Sequence, residues 1–157
     1  VLLAKLENYF DVTIITQNID DLHERAGSSK IIHLHGEILK MRSENALQPS
    51  YEIKTDIYLG DKAPDGYQLR PDIVWFGEAV PQIEMASKIT SSADIFIVIG
   101  TSLVVYPAAG LVNDCKHSIP KYMIDTQVPD VSGVQNLQVI QATASIGMQQ
   151  LYNALVE

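Results

Sequence analysis

The chain has 157 residues, 46% of them hydrophobic, with a formal net charge of −8 and a single cysteine. A domain of that length buries roughly 68–70% of the surface its unfolded chain exposes, so it holds a core of its own. The acidic balance argues against a phosphate backbone as main partner, and hence against nucleic-acid binding; no apolar run of about 18 residues offers a membrane span; lone Cys115 makes neither an internal disulfide nor a four-cysteine zinc site.

In chain order, Leu2, Leu3, Leu6, Tyr9 and Phe10 fall at helical spacing. Val12-Thr13-Ile14-Ile15 is a β-branched run that predicts a buried strand. Asp20 to Ala26 predicts a short helix with Gly27 as its C-terminal cap. Ile31 to His35 is a second extended run. Residues 37–73 differ in character: they carry Pro49, Gly60, Pro64, Gly66 and Pro71 among alternating polar and apolar residues, and predict a small β-rich insert. A βα rhythm then resumes. Gln82 to Ser91 predicts a helix, Asp94 to Ile99 an apolar strand, Pro107 to Lys116 a helix, Lys121 to Ile124 and Leu137 to Ile140 two strands, and Ser145 to Val156 a last helix with Ser145 as N-cap. Short apolar strands alternating with helices predict an α/β fold, a Rossmann-like parallel sheet with helices on both faces. On this reading 1–36 and 74–157 form one nucleotide-binding domain and 37–73 is inserted into it. The first residues carry no secretory pattern and no initiator Met, which suggests a trimmed chain. Cys115 is expected to be structural, and a reducing, cytoplasmic setting follows.

Ligands of open α/β sheets bind beyond the carboxyl ends of the strands. Those ends are Thr16-Gln17-Asn18-Ile19-Asp20, Gly100-Thr101-Ser102, Asp125-Thr126-Gln127 and Ala142-Thr143-Ala144-Ser145. Any one of them reads equally well as a polar turn. Four together favour a nucleotide site, although no G-x-G-x-x-G and no Walker-type loop is present. His35-Gly36 follows an apolar run. A histidine in that setting is as a rule structural, but Gly36 lets the backbone turn beside it and imidazole is suited to proton transfer near neutral pH. His33 and His35 would share one face of a regular strand, a metal-binding option for which no third ligand stands nearby. His23 reads as a surface residue and His117 as a charge at a helix C-terminus. Pro71 to Glu78 holds the only Trp, and fits either strand addition to a peptide or a hydrophobic plug between subdomains.

Taken together, Thr16-Gln17-Asn18-Ile19-Asp20, Leu22-His23-Glu24-Arg25-Ala26-Gly27, His33-Leu34-His35-Gly36-Glu37, Leu69-Arg70-Pro71-Asp72-Ile73-Val74-Trp75-Phe76-Gly77-Glu78 and the run from Gly100 to Gly110 resemble the sirtuin family, in the family's order. The wording around Trp75 resembles its class III branch, which includes bacterial deacylases. The resemblance implies an NAD-dependent protein lysine deacylase. Gln17, Asn18, Ile19 and Asp20 would bind the nicotinamide end of NAD, with His35 as general base and Asn18 beside it in the catalytic centre. Gly100, Thr101 and Ser102 would hold the ribose–phosphate side, Asp125, Thr126 and Gln127 the adenosine ribose, and Ala144 the adenine. Asp125 stands where the family usually has Asn. Val74, Trp75, Phe76, Gly77 and Glu78 would line the acyl-lysine channel. The implied reaction attacks the nicotinamide ribose with the acyl oxygen, expels nicotinamide, and leaves the acyl group on ADP-ribose after His35 takes a ribose hydroxyl proton.

Two departures from the family pattern carry expectations. Sirtuins usually hold structural zinc with two Cys-x-x-Cys pairs, whereas the corresponding stretch from Met41 to Pro64 has no cysteine. No zinc is therefore expected, and Tyr51, Ile53, Ile57 and Tyr58 are expected to hold the insert together. The family's Gly-Ala-Gly-x-Ser loop and the acyl-reading Tyr-x-x-Arg would precede Val1, so the chain is expected to be a truncated piece that binds NAD weakly or not at all. Two other readings share the scaffold: a non-catalytic NAD- or FAD-binding module, and an NAD hydrolase. Acyl-lysine proteins are the expected partners, with neither nucleic acid nor membrane among them; oligomeric state has no signature in these residues.

Overall fold

A computed structural model of the chain describes residues 1–47 and 49–156. Two compact units emerge, one of Val1–Val12 with Gln82–Glu157 and one of Thr13–Pro81.

The first unit is built on an all-parallel sheet. Its strands are the fully apolar β6 (Phe96–Ile99), then β7 (Lys121–Asp125) and β8 (Leu137–Gln141), in spatial order β6-β7-β8. Helices α1 (Leu2–Leu6), α3 (Ile83–Ser92), α4 (Leu111–Asp114) and α5 (Ala144–Val156) belong to this unit. Leu6, Ile124, Met148 and Leu151 form its core, with Ile124 completely buried. Gly147 sets how closely α5 meets β7. A Cβ there would lie 2.3 Å from the Ile124 methyl Cγ2, so the helical penalty of glycine, roughly 0.5–1 kcal/mol, is offset by close helix–sheet packing.

Two sequence expectations are corrected in this unit. The helix expected over 107–116 is a 3₁₀ turn, Ala108–Gly110, running into the four-residue α4. It ends because Cys115 adopts an extended backbone, with ψ 144°. Helix α5 begins at Ala144, so Ser145 lies in its first turn and is not the N-cap. Cys115 itself is buried, with Sγ 3.8 Å from the Leu111 carbonyl, and burial pushes its thiol up to about 11. A neutral thiol out of solvent is a packing residue, as its place in the sequence suggested. Lys121 is only 2% exposed, yet its ammonium is satisfied: Nζ donates to the carbonyls of Lys116 at 2.8 Å and Gln135 at 3.2 Å, with those of Ile119 and His117 just beyond.

In the second unit β1 (Ile14–Thr16) and β2 (Ile31–His33) pair in parallel, with Ile14 opposite Ile31 and Thr16 opposite His33. Between them lies α2 (Leu22–Arg25), which closes at Gly27 with φ +93°, the expected glycine stop. Strand β2 ends at His33 and His35 sits in the following turn, so the two histidines do not share a strand face.

The expected β-rich insert is the antiparallel sheet β4-β3-β5, from β3 (Gly36–Ser43), β4 (Ser50–Glu52) and β5 (Leu69–Ile73). It is held differently from expectation. Tyr58 is 65% exposed and packs little, while Tyr51, Ile53 and Ile57 are only partly buried. Among the described residues the buried ones here are Arg42, Ser43 and Ala63. Arg42 and Arg70 stand directly opposite each other on β3 and β5, a pairing that would repel if left alone. Glu78 resolves it, receiving Arg70 at 2.6 Å and Arg42 at 3.6 Å, and Asp72 lies 3.1 Å from Arg42 Nε. Ser50 and Ser43 add hydroxyl donations to Asp72 and Asp65, at 2.6 and 2.7 Å. These groups are carboxylates, hydroxyls and guanidinium groups without a thiolate among them, and the one cysteine belongs to the other unit, so the residues present do not fit a structural zinc of the Cys₄ type. Replacing Arg42 with Met is expected to destabilise the chain by about 1–3 kcal/mol in chemical denaturation. That is less than the loss of a fully buried pair, because Asp72 and Glu78 are partly solvated and tolerate losing a partner.

Candidate functional site

The loop after β1 is fixed at each residue. Thr16 Oγ1 accepts the Asn18 amide at 3.1 Å, and Asp20 Oδ1 accepts the Leu22 amide at 3.1 Å, which starts α2. Between these anchors three successive carbonyls are held. Gln17 O receives His35 Nδ1 at 3.0 Å, Asn18 O receives His33 Nδ1 at 3.1 Å, and Ile19 O receives the Ile38 amide at 2.8 Å. A backbone tethered through its carbonyls is a rigid platform for the side chains of Gln17, Asn18, Ile19 and Asp20.

His35 follows Leu34, which is 1% exposed and whose amide donates to Thr16 O at 2.9 Å. Because the partner of Nδ1 is a carbonyl, Nδ1 must carry the hydrogen. In the neutral ring the lone pair then sits on Nε2, the arrangement a general base needs. The next residue, Gly36, has φ +80° and lies so close to β5 that a Cβ would stand 2.0 Å from Asp72 O. The His35 carbonyl accepts the Val74 amide at 2.9 Å, which joins the histidine turn directly to the segment 74–78.

That segment is not a strand. After β5 ends at Ile73, the chain turns: Glu78 donates its amide to Trp75 O at 3.0 Å, and the Trp75 amide donates to Glu78 Oε2 at 3.0 Å. Gly77 takes φ +89°. Arg70 braces the turn through Glu78 and the Ile73 carbonyl, and its guanidinium lies 5.9 Å from the Trp75 ring centroid. Arg70 foremost, then the Trp75 amide, holds the Glu78 carboxyl below the usual carboxylate range. Trp75 is 56% and Phe76 99% exposed. The bracing by Arg70 and Glu78 had no local signature in the sequence, since it depends on the register of β3 against β5.

The remaining candidate residues lie in the other unit, at the carboxyl ends of its parallel strands. Gly100 follows β6 with φ +62°, nothing stands within 4 Å of a Cβ built on it, and its amide donates to Ile124 O at 2.9 Å. Thr101 Oγ1 accepts the Leu103 amide at 3.4 Å, and Ser102 is exposed between them. Asp125 ends β7; its Oδ1 accepts the Gln127 amide at 2.9 Å, and Thr126 O accepts Gln141 Nε2 at 3.2 Å. Ala144 opens α5. The carboxyl ends of parallel strands are where open α/β sheets bind nucleotides.

The donor atoms of Glu24, His33 and Glu37 lie within 4.8 Å of one another. Their charges are already paired, His33 Nε2 with Glu24 at 2.8 Å and Lys40 with Glu37 at 2.7 Å, and no metal is assigned to them. Among the described residues no helix is long and apolar enough to cross a membrane.

Comparison with known proteins supplies the context. A family model described as the Sir2 family matches residues 1–107. A protein of Bacteroides thetaiotaomicron named NAD-dependent protein deacylase is 51% identical over 99% of this chain and 69% of its own length. One of Helicobacter pylori with the same name is 50% identical, over 99% of this chain and 68% of its own. Among solved structures, a Sir2 homologue–NAD complex superposes with TM-score 0.84 at 33% identity, covering 98% of this chain and 62% of that one. A Sir2–p53 peptide–NAD⁺ complex superposes with TM-score 0.78 at 32% identity, covering 98% of this chain and 67% of that one. A Sir2 homologue bound to ADP-ribose, with 34% identity and TM-score 0.83, is spanned by this chain over 63% of its length.

Proposed function

The chain belongs to the Sir2 family, and from that premise we propose that the protein it represents removes acyl groups from protein lysines at the expense of NAD. The observation that carries this reading is the His35 turn. Its Nδ1 hydrogen is committed to Gln17 O, Nε2 is left as acceptor, and its own carbonyl is bonded to the Val74 amide at the head of an exposed Trp-Phe-Gly turn. The names of the Bacteroides and Helicobacter relatives and the peptide and NAD in the solved complexes support the substrate class.

NAD supplies an anomeric carbon from which nicotinamide departs and to which an acyl oxygen adds. The protein's part is positional. Gln17, Asn18, Ile19 and Asp20 orient the nicotinamide end. Gly100, Thr101 and Ser102 hold the phosphate side, and Asp125, Thr126, Gln127 and Ala144 the adenosine side. His35 Nε2 accepts a ribose hydroxyl proton, and Asn18 shares the catalytic work. Val74 to Glu78 receive the acyl-lysine and its peptide. Within this reading 1–36 and 74–157 form the NAD-binding part, 37–73 the small subdomain, and the cytoplasm is the compartment, in keeping with one buried thiol.

Product analysis tests the proposal. Incubating the whole protein with NAD and acetyl- or succinyl-lysine peptides should yield O-acyl-ADP-ribose, nicotinamide and free lysine in equal amounts. Free ADP-ribose without peptide deacylation would indicate an NAD hydrolase, and no NAD turnover a binding module; either result would overturn the reading.

A further inference from the structure

We propose that His33 is a positioning residue: as an imidazolium held by Glu24, it clamps the Asn18 carbonyl and makes the geometry of the Gln17–Asp20 loop depend on its protonation. The functional consequence rests on the deacylase reading; the clamp itself does not.

The inference follows from what faces the ring. Nδ1 lies 3.1 Å from the Asn18 carbonyl and Nε2 lies 2.8 Å from Glu24 Oε1. Both partners only accept hydrogen bonds. A neutral imidazole has one N–H, so it would set a lone pair against one of these oxygens; the cation donates to both. The His33 side chain is 8% exposed, which leaves little room for water to mediate. Further groups around the pair are His23 on α2, and Glu37 on β3 with Lys40 bonded to it. Burial opposes the charge on His33, but the Glu24 carboxylate, the Asn18 carbonyl and the charges of Glu24 and Glu37 outweigh it and raise His33 above its ordinary value of 6.5. Burial likewise opposes the Glu24 charge, and the His33 bond leads the contacts that prevail and lower it from 4.5. The sign follows: the His33 contribution is fully present below about pH 6.5 and is lost as pH rises through the higher folded value, while that of Glu24 is lost as pH falls through its depressed value. The clamp is closed between those limits.

The clamp reaches the site because the three loop carbonyls are consecutive. Releasing Asn18 O leaves its neighbours tied to His35 and to Ile38, so the peptide between them is the one free to rotate.

NMR of the full 157-residue chain provides the test. Imidazole ¹⁵N spectra should show both His33 nitrogens protonated at pH 6, with a midpoint above 6.5. The Ile19 amide, which belongs to the peptide of the Asn18 carbonyl, should move with that same midpoint. Glu24→Gln should weaken proton binding at His33 about tenfold and shift the Ile19 transition with it. A His33 midpoint at or below 6.5, or an Ile19 amide indifferent to it, would overturn the proposal. His33→Gln provides a second arm, since it keeps a donor without a charge: the Ile19 amide should then lose its pH dependence, and retention would count against the clamp. NAD titrations of the whole protein at pH 6 and above the midpoint separate the two readings. Weaker NAD binding at the higher pH is expected. In the whole protein, no binding at any pH would count against the deacylase assignment, and the shared titration of His33 and the Ile19 amide would still decide whether the clamp exists.

Discussion

His35→Ala is expected to lower NAD-dependent deacylation by the whole protein about 10²–10⁴-fold, the range that general base catalysis contributes. The fold should survive. The side chain makes one hydrogen bond, to Gln17 O, and its loss costs about 0.5–1.5 kcal/mol. Leu34, the buried residue of this turn, is untouched, and so are the backbone bonds from Leu34 to Thr16 and from Val74 to His35. Steady-state kcat/KM on an acyl-lysine peptide, read beside circular dichroism and thermal melting of the same preparation, checks both halves. Near-normal turnover by a folded His35→Ala protein would remove His35 from its proposed role.

Gly36→Ala should fail for the opposite reason, through the fold. An L-residue at φ +80° costs roughly 1–2 kcal/mol by itself. The added methyl would also stand 2.0 Å from Asp72 O and 3.0 Å from Ile73 Cα, both backbone atoms of β5. Backbone cannot rotate away as a flexible side chain would, and Asp72 is further anchored by Arg42 and Ser50. The end of β3 must separate from β5, which strains the Val74–His35 bond. A loss of more than about 3 kcal/mol is expected in urea denaturation, within the range of severe single substitutions. Gly77→Ala serves as the internal control. Gly77 also has positive φ, +89°, but nothing lies within 4 Å of its Cβ position, so only the conformational cost applies. Equal stability losses at the two positions would show that the close approach of β3 and β5 does not limit the fold.

The parts of the fold that could be read from sequence were those written in adjacent residues. The runs at Phe96–Ile99 and Lys121–Asp125 are strands because β-branched and aromatic residues are placed together, and buried parallel strands need little else. Gly27 stops α2 for a local reason as well. The helix over 107–116 failed because composition favoured it more than the backbone at Cys115 allowed. The candidate site was legible in the order of its motifs, and His35 could be singled out before its hydrogen bond was known. Its supports were not. Glu24 meets His33 only once α2 folds between β1 and β2, and Arg42 meets Glu78 only once β3 and β5 are in register. A buried arginine also runs against every compositional expectation, since charge is driven inward only by partners that lie far away in sequence.

Cys115 has a practical consequence. With its only thiol shut away and held protonated up to about pH 11, this chain offers maleimide and iodoacetamide reagents no ready target in its folded state. A cysteine introduced at Phe76, which is 99% exposed, would therefore be the reactive thiol of this chain. A fluorophore placed there would report peptide arrival at the Trp-Phe-Gly turn in real time, with no change to Cys115.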